Sequence, residues 1–359
     1  MILLSVQLNK NGIITSYGAS TNQGISRNYN EDRVSIILNI KRPRNKRNIE
    51  WPRWAFFGIF DGHGGTTWSD YLRDCLHLFI INNKYFPSNP RKALMKGFRD
   101  AEDHFLLECA EKAEEQRRIW QSETSDDKFY LKYLDWSGSC AIIALIIEEK
   151  WYIANVGDSR AIMSADMGDK IYCLSNDHKP TNENEIKRIV TNGGKIYQTQ
   201  TTYSVPRRNG MKVSAPQVML GPPRVKPGRL SVSRTFGDIE AKVPAYGGNP
   251  NVVIAVPEII EFNIKENYDY ILLGWDGIFD KLENVNIINR VWATVKMKQG
   301  EGDTNKISGW VVDDILKDWA ANKSLDNITC ILISFKDFIE AYTNLNDQQK
   351  ENLWGNQVI

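Results

Sequence analysis

Apolar runs rich in β-branched and aromatic residues arrive along this chain in adjacent pairs, with helical patterns between them. Residues 34–40 (VSIILNI) and 54–60 (WAFFGIF) form the first pair, joined by a basic loop over 41–53. Residues 140–147 (CAIIALII) and 151–156 (WYIANV) form the second, joined by the turn Glu148-Glu149-Lys150. Further runs at 252–256, 269–274 and 328–335 also read as strands. Trp68, Tyr71, Leu72, Cys75, Leu76 and Phe79 fall on one face of an amphipathic helix. Leu94, Phe98, Ala101 and Phe105 mark a second helix running toward residue 120, and Trp310, Ile315, Leu316 and Trp319 mark another. Ile186, Ile189 and Val190 predict a short helix that Asn182 can cap and that Gly193-Gly194 ends. This order predicts an α+β fold in which a two-sheet core carries helices on its outside.

Acidic residues collect at the ends of these strands. Glu31 and Asp32 precede 34–40, and Asp61 follows 54–60. In an antiparallel hairpin the start of one strand lies beside the end of the other, so Asp32 and Asp61 meet. Asp158 follows 151–156, Asp276 follows 269–274, and Asp326 precedes 328–335. Five or six carboxylates would thus share one end of the core. Like charges that close repel, and a divalent cation is the natural counter-charge. Oxygen ligands select hard ions such as Mg²⁺ or Mn²⁺, and no His/Cys cluster favours zinc. Asp61-Gly62-His63-Gly64-Gly65 joins a strand to a helix, and Gly62 lets the backbone approach an ion so that its carbonyl can coordinate. Arg27, five residues before Asp32, can grip a phosphate with two hydrogen bonds.

In their order along the chain these residues resemble the type 2C metal-dependent protein phosphatases, from about residue 17 to 335. The similarity rests on Gly24-Ile25-Ser26-Arg27 with Asn30-Glu31-Asp32, on Asp61-Gly62-His63-Gly64-Gly65 and on Ser137-Gly138-Ser139. It continues through Asn155-Val156-Gly157-Asp158-Ser159-Arg160, Asp177-His178-Lys179-Pro180 and residues 230–238 (LSVSRTFGD). It ends on Val256-Pro257-Glu258, Asp276-Gly277-Ile278-Phe279-Asp280 and Asp326-Asn327-Ile328-Thr329. The resemblance implies a four-layer α-β-β-α sandwich, two antiparallel sheets flanked by helix pairs. It implies that Asp61 bridges two Mg²⁺ or Mn²⁺ ions, with Asp276 and Asp326 completing one site and Glu31 and the Gly62 carbonyl the other. Asp32 would hold metal-bound waters, Arg27 the substrate phosphate, and His63 would act as general acid. Asp158, with Asp276 and Asp280, resembles a weaker third-metal site. The implied reaction is hydrolysis of phosphoserine and phosphothreonine in proteins. A water or hydroxide bridging metals ~3.5–4 Å apart would attack phosphorus in line, without a phosphoenzyme.

Other features set boundaries. The formal net charge of +1 gives no electrostatic pull toward nucleic acid or an anionic membrane, and no apolar run approaches the length of a span. The start MILLSVQLNKNG lacks the pattern of a signal peptide, and Ile2 excludes myristoylation at this start. Five cysteines, far apart and odd in number, predict reduced thiols in a cytoplasmic protein, with the nucleus open through the basic loop. No cysteine has Arg six positions on, which argues against a cysteine-dependent phosphatase. We expect a monomer with phosphoprotein substrates, a phosphatase domain over 1–335 and a polar helical tail over 336–359. A flap or insert occupies about 181–228, and its 195–228 portion reads as a long loop. The loop 41–53 reads as a solvated hairpin tip, and His178 and Lys179 as structural. Trp275, where the family has a small residue, is expected to crowd Asp276. Cys140, in place of the common Thr, reads as a packing change. A catalytically silent pseudophosphatase and a two-metal phosphodiesterase are the alternatives; the first would normally lack one of Glu31, Asp61, Asp276 or Asp326, all present here.

Overall fold

A computed structural model describes residues 14–24, 27–39, 41–121, 134–203, 217–279, 282–298, 300, 304–321 and 327–345. Along the chain the elements begin with β1 (Ser16–Asn22), β2 (Arg33–Leu38), β3 (Trp54–His63), α1 (Thr67–Asn82) and α2 (Pro90–Gln121). Then come β4 (Gly138–Ile147), β5 (Lys150–Val156), β6 (Arg160–Ala165), β7 (Lys170–Cys173) and α3 (Glu183–Thr191). Next are β8 (Lys195–Tyr203), β9 (Gln217–Lys226), β10 (Phe236–Gly237), α4 (Ile239–Lys242), β11 (Glu258–Asn263) and β12 (Tyr268–Gly274). The chain continues through α5 (Asp276–Phe279), α6 (Asn284–Lys298), α7 (Thr304–Ala321), β13 (Ile328–Ser334) and α8 (Phe338–Thr343).

Alternation along each strand sorts the side chains between two faces. In β3, Ala55, Phe57 and Ile59 face the other sheet, while Trp54, Phe56 and Phe60 face helices. One sheet runs β11-β5-β4-β3-β2, with β10 also paired to β4; the other runs β1-β13-β12-β6-β7. The first packs on α1 and α2 through Trp68, Leu72, Leu76, Leu94 and Phe98. The second packs on α6, α7 and α8 through Trp292, Val311, Ile315 and Phe338. Between the sheets Phe57, Ile59, Ile142, Ile153, Ile271 and Ile331 form the central layer. This is the expected α-β-β-α sandwich. No described helix is long and apolar enough to cross a membrane.

Several expectations change. Residues 252–256 form no strand; Val252 and Val253 pack with Ile189, Val225 and Ala241 in a satellite cluster, and the strand follows at Glu258–Asn263. The 195–228 stretch is not one long loop, because β8 and β9 pair antiparallel. That hairpin hid from periodicity because Val218, Met219 and Leu220, consecutive in β9, are all exposed. β1, β6, β7 and α6 went unread; β1 is mostly small and polar, and its burial comes from α7, from β13 and from the central layer that Tyr17 and Ala19 enter. On α3, Asn182 caps as expected, accepting from the Asn184 N–H at 3.0 Å. Only Ile189 of its three apolar residues is buried. The start of the tail is anchored, since Phe338 and Tyr342 of α8 are buried.

The basic loop is not wholly solvated. Lys46 is buried, and its ammonium donates to the carbonyls of Asn83 and Phe86 beyond the end of α1. Burial lowers its pKa. Arg44 and Arg47 are exposed. A second buried charge ties α3 to the stretch before β10. Glu185 accepts hydrogen bonds from Arg234 at 2.6 Å, Arg188 at 2.6 Å and Ser233 at 2.5 Å. Burial opposes its charge, yet those donors hold its carboxyl at about 2.

Two outcomes follow. Lys46→Met should cost about 1–3 kcal/mol in urea unfolding, because two carbonyls lose their donor. Arg44→Gln and Arg47→Gln should stay within about 0.5 kcal/mol. A carboxyl depressed in the folded state contributes stability above its unfolded pKa, about 4.5, and loses it as pH falls toward about 2. Unfolding free energy between pH 5 and pH 2 should therefore drop more steeply for the wild type than for Glu185→Gln; equal slopes would remove Glu185 as the cause.

Candidate metal centre

β2 and β3 are antiparallel with Arg33 opposite Phe60, so the residues before β2 lie beside Asp61. Glu31 and Asp32 are both buried there. Three bonds hold Glu31: its N–H donates to Asn327 Oδ1 at 2.9 Å, its carbonyl accepts from Ser69 Oγ at 2.6 Å, and its Oε1 accepts from the Gly65 N–H at 2.7 Å. Asp32 Oδ2 accepts from Thr329 Oγ1 at 2.7 Å. A Cβ on Gly62 would lie 2.5 Å from the Glu31 carbonyl oxygen and 2.8 Å from Ser69 Oγ. Only glycine lets these two segments close up.

Across β3 and β4, Asp61 stands opposite Cys140. On the other side of β4, Ala141 stands opposite Val156, the last residue of β5. The chain then crosses from one sheet to the other through 157–159, and Asp158 sits on that crossover. His178 braces it: Nδ1 accepts from the Gly157 N–H at 3.1 Å while Nε2 faces Glu258 at 3.3 Å, which is the structural role expected of it. Asp276 opens α5 directly beyond β12, whose Gly274 is opposite Arg160, two residues past Asp158. The ligand atoms of Asp61, Cys140 and Asp158 lie within 4.8 Å of one another.

The electrostatics are those of crowded acids. Burial holds the Asp158 carboxyl above the usual carboxylate range; Lys179 pulls it down and Asp177 pushes it up. Burial, then the charges of Asp158, Asp61 and Asp276, push the Cys140 thiol well above its ordinary value. Its Sγ lies 3.6 Å from Asp158 Oδ1, so Cys140 is more than a packing change. The carboxylate donor set and the close approach at Gly62 fit a divalent cation, whose charge would offset this repulsion.

Arg27 is half-exposed beside this pocket, 3.5 Å from Glu31 Oε2. His63, at the end of β3, places Nε2 3.0 Å and 2.9 Å from the two carboxylate oxygens of Asp238. Burial alone would lower the His63 pKa, but Asp238, followed by Asp158 and Glu31, raises it above its ordinary value. The structure thus gathers Arg27, Glu31, Asp32, Asp61, Gly62, His63, Asp158 and Asp276 at one end of the two sheets. Asp326 and Asp280 lie outside the described residues. Trp275 does not crowd the pocket; it is buried in the apolar layer with Ile278, Phe279 and Ile287. Sequence reasoning missed Asp238, Asn327 and Thr329, although all three stand inside motifs it had singled out; an Asp two residues after a buried Phe and an Asn-x-Thr leading into a strand carry no chemistry until folded.

Fold and donor set together define a metal-dependent phosphatase. The family model described as Protein phosphatase 2C matches residues 17–324. Among curated proteins, Probable protein phosphatase 2C 5 of Paramecium tetraurelia is 30% identical over 293 residues, covering 80% of this chain and 85% of the relative. Probable protein phosphatase 2C 6 of the same organism is 29% identical over 326 residues, 90% of this chain and 93% of the relative. Among solved structures, a serine-threonine phosphatase 2C from Toxoplasma gondii shares the fold with a TM-score of 0.62 at 18% identity, over 93% of this chain and 99% of that one. The chain belongs to the protein phosphatase 2C family, whose members are metal-dependent serine/threonine phosphatases.

Gly62→Ala tests the centre directly. The added methyl must displace the Glu31 backbone, and Mn²⁺ affinity by calorimetry should fall about 10–100-fold with the circular dichroism retained. Unchanged affinity would remove the Glu31–Gly62 contact from the ion site.

Proposed function

We propose that this enzyme hydrolyses phosphoserine and phosphothreonine in proteins by direct attack of water on phosphorus, with no phosphoenzyme. The ligand atoms of Asp61, Cys140 and Asp158, all within 4.8 Å of one another, with Glu31 anchored beside Gly62, carry this reading. Asp61, Asp276 and Asp326 would hold one ion, and Asp61, Glu31 and the Gly62 carbonyl another, with Asp158 at a weaker third position. Mg²⁺ and Mn²⁺ both suit such oxygen ligands. Bound there, the ions would supply the positive charge that activates a water and offsets the charge of the phosphate.

The protein's own groups do the rest. Arg27, half-exposed beside Glu31, binds the incoming phosphate with its planar fork. Asp32, fixed by Thr329, orients water in the pocket. As the ester bond breaks, the seryl or threonyl oxygen is a poor leaving group, and His63 gives it a proton. The described cysteines, none in a disulfide, suit a reducing compartment, and we place the enzyme in the cytoplasm or nucleus.

Phosphate release from phosphoserine, phosphothreonine and phosphotyrosine peptides, with Mg²⁺, Mn²⁺ or chelator, tests this. We expect activity on the first two, none with chelator, and a loss of at least about 10³-fold for Asp61→Asn. Equal turnover by Asp61→Asn would overturn the assignment.

A further inference from the structure

We infer that Asp238 is the positioning residue for His63, holding the ring through Nε2 so that Nδ1 addresses the leaving oxygen. The inference rests on the reading of His63 as proton donor. Three strands build the contact. His63 in β3 is opposite Gly138 in β4, and Gly138 is opposite Gly237 in β10, which puts Asp238 one residue beyond the same row. Gly138 has no side chain, and a Cβ there would lie 2.2 Å from Asp238 Oδ2 and 2.6 Å from His63 Nε2. Over this gap the imidazole and the carboxylate meet.

The carboxylate is locked from behind. Asp238 Oδ2 accepts from Thr235 Oγ1 at 2.6 Å, and the Asp238 N–H donates to the Ser137 carbonyl at 3.0 Å. Its backbone is left-handed, φ 55°, a conformation that Asp and Asn tolerate better than most residues. The preceding Gly237 N–H donates to Glu102 Oε2 of α2 at 3.0 Å, and Glu102 in turn pairs with buried Lys242, whose ammonium reaches the Thr235 carbonyl at 2.7 Å. Strain and a buried ion pair are thus invested in aiming one carboxylate at one imidazole.

In the step itself, the water oxygen bonds to phosphorus while the bond from phosphorus to the seryl oxygen breaks, its electron pair going to that oxygen. The proton on Nδ1 moves to the same oxygen, and Nε2–H stays on Asp238. The ring regains a proton from the attacking water, so that ester and water give alcohol and phosphate.

The test compares wild type, Asp238→Asn, His63→Asn and the double variant on a phosphothreonine peptide and on p-nitrophenyl phosphate, at saturating Mn²⁺. The aryl ester has a good leaving group and needs little proton donation. Asp238→Asn should lower kcat on the peptide about 100-fold with KM changed only a few-fold, and lower the aryl ester far less. His63→Asn should show the same split, and the double variant should fall no further than either single one. An equal loss on both esters, or multiplied losses in the double variant, would overturn the positioning role. A peptide rate kept by Asp238→Asn but lost by His63→Asn would sink this inference alone. A His63→Asn variant without the split would sink the proton-donor reading as well. Should Asp238→Asn fail to fold, Thr235→Val removes the hydroxyl behind the carboxylate and should give the same split in smaller degree; equal loss on both esters would again overturn it.

Discussion

The antiparallel register of β3 against β4 decides where every group of the centre can be. It sets Asp61 opposite Cys140 and His63 opposite Gly138, side by side at the end of the sheet. A one-residue slip would turn both side chains to the other face. Such a slip is opposed by the alternation of Phe57 and Ile59 toward one layer and Phe56 and Phe60 toward another, all of them buried. The hydrophobic effect, acting on residues that do no chemistry, therefore holds the chemistry in place. Losing one such buried aromatic to Ala typically costs about 3–5 kcal/mol.

Two buried acids show how differently this chain treats negative charge. Glu185 is surrounded by Arg234, Arg188 and a serine hydroxyl, and its carboxyl is driven down to about 2. Asp158 is as deeply placed, yet burial outweighs the pull of Lys179 and its carboxyl is driven up. The first arrangement is a finished structural joint between α3 and the stretch ahead of β10. The second costs free energy until a cation joins it. Stability is conceded at one end of the sandwich because ion binding is needed there, and the paired acids elsewhere keep the scaffold rigid around it.

Much of the architecture was readable before folding. Strand pairs with alternating or continuous apolar runs, such as 54–60 and 140–147, are locally self-consistent, and their ends pointed to Glu31, Asp32, Asp61, Asp158 and Asp276. Elements escaped where burial comes from a neighbour rather than from their own pattern. β1 is mostly small and polar and lies under α7; β8 and β9 hold each other by main-chain pairing with apolar side chains left outside. Val252 and Val253 looked like a strand because they are apolar, but they fill a cluster beneath α3.

Periodicity and motif order, which are properties of the chain in one dimension, were enough to predict the layers and the family, and to single out acids at the strand ends. Which acid meets which partner was left to the tertiary structure. Asp238 reaches His63 across 175 residues of sequence, and Thr329 reaches Asp32 across 297, through contacts that exist only once separate strands are laid side by side. Lys46 likewise became a buried brace only when the end of α1 presented two carbonyls to it. The reason is geometric: a residue's type and spacing report the element it will join, whereas its hydrogen-bond partner depends on the register and packing of elements distant in the chain.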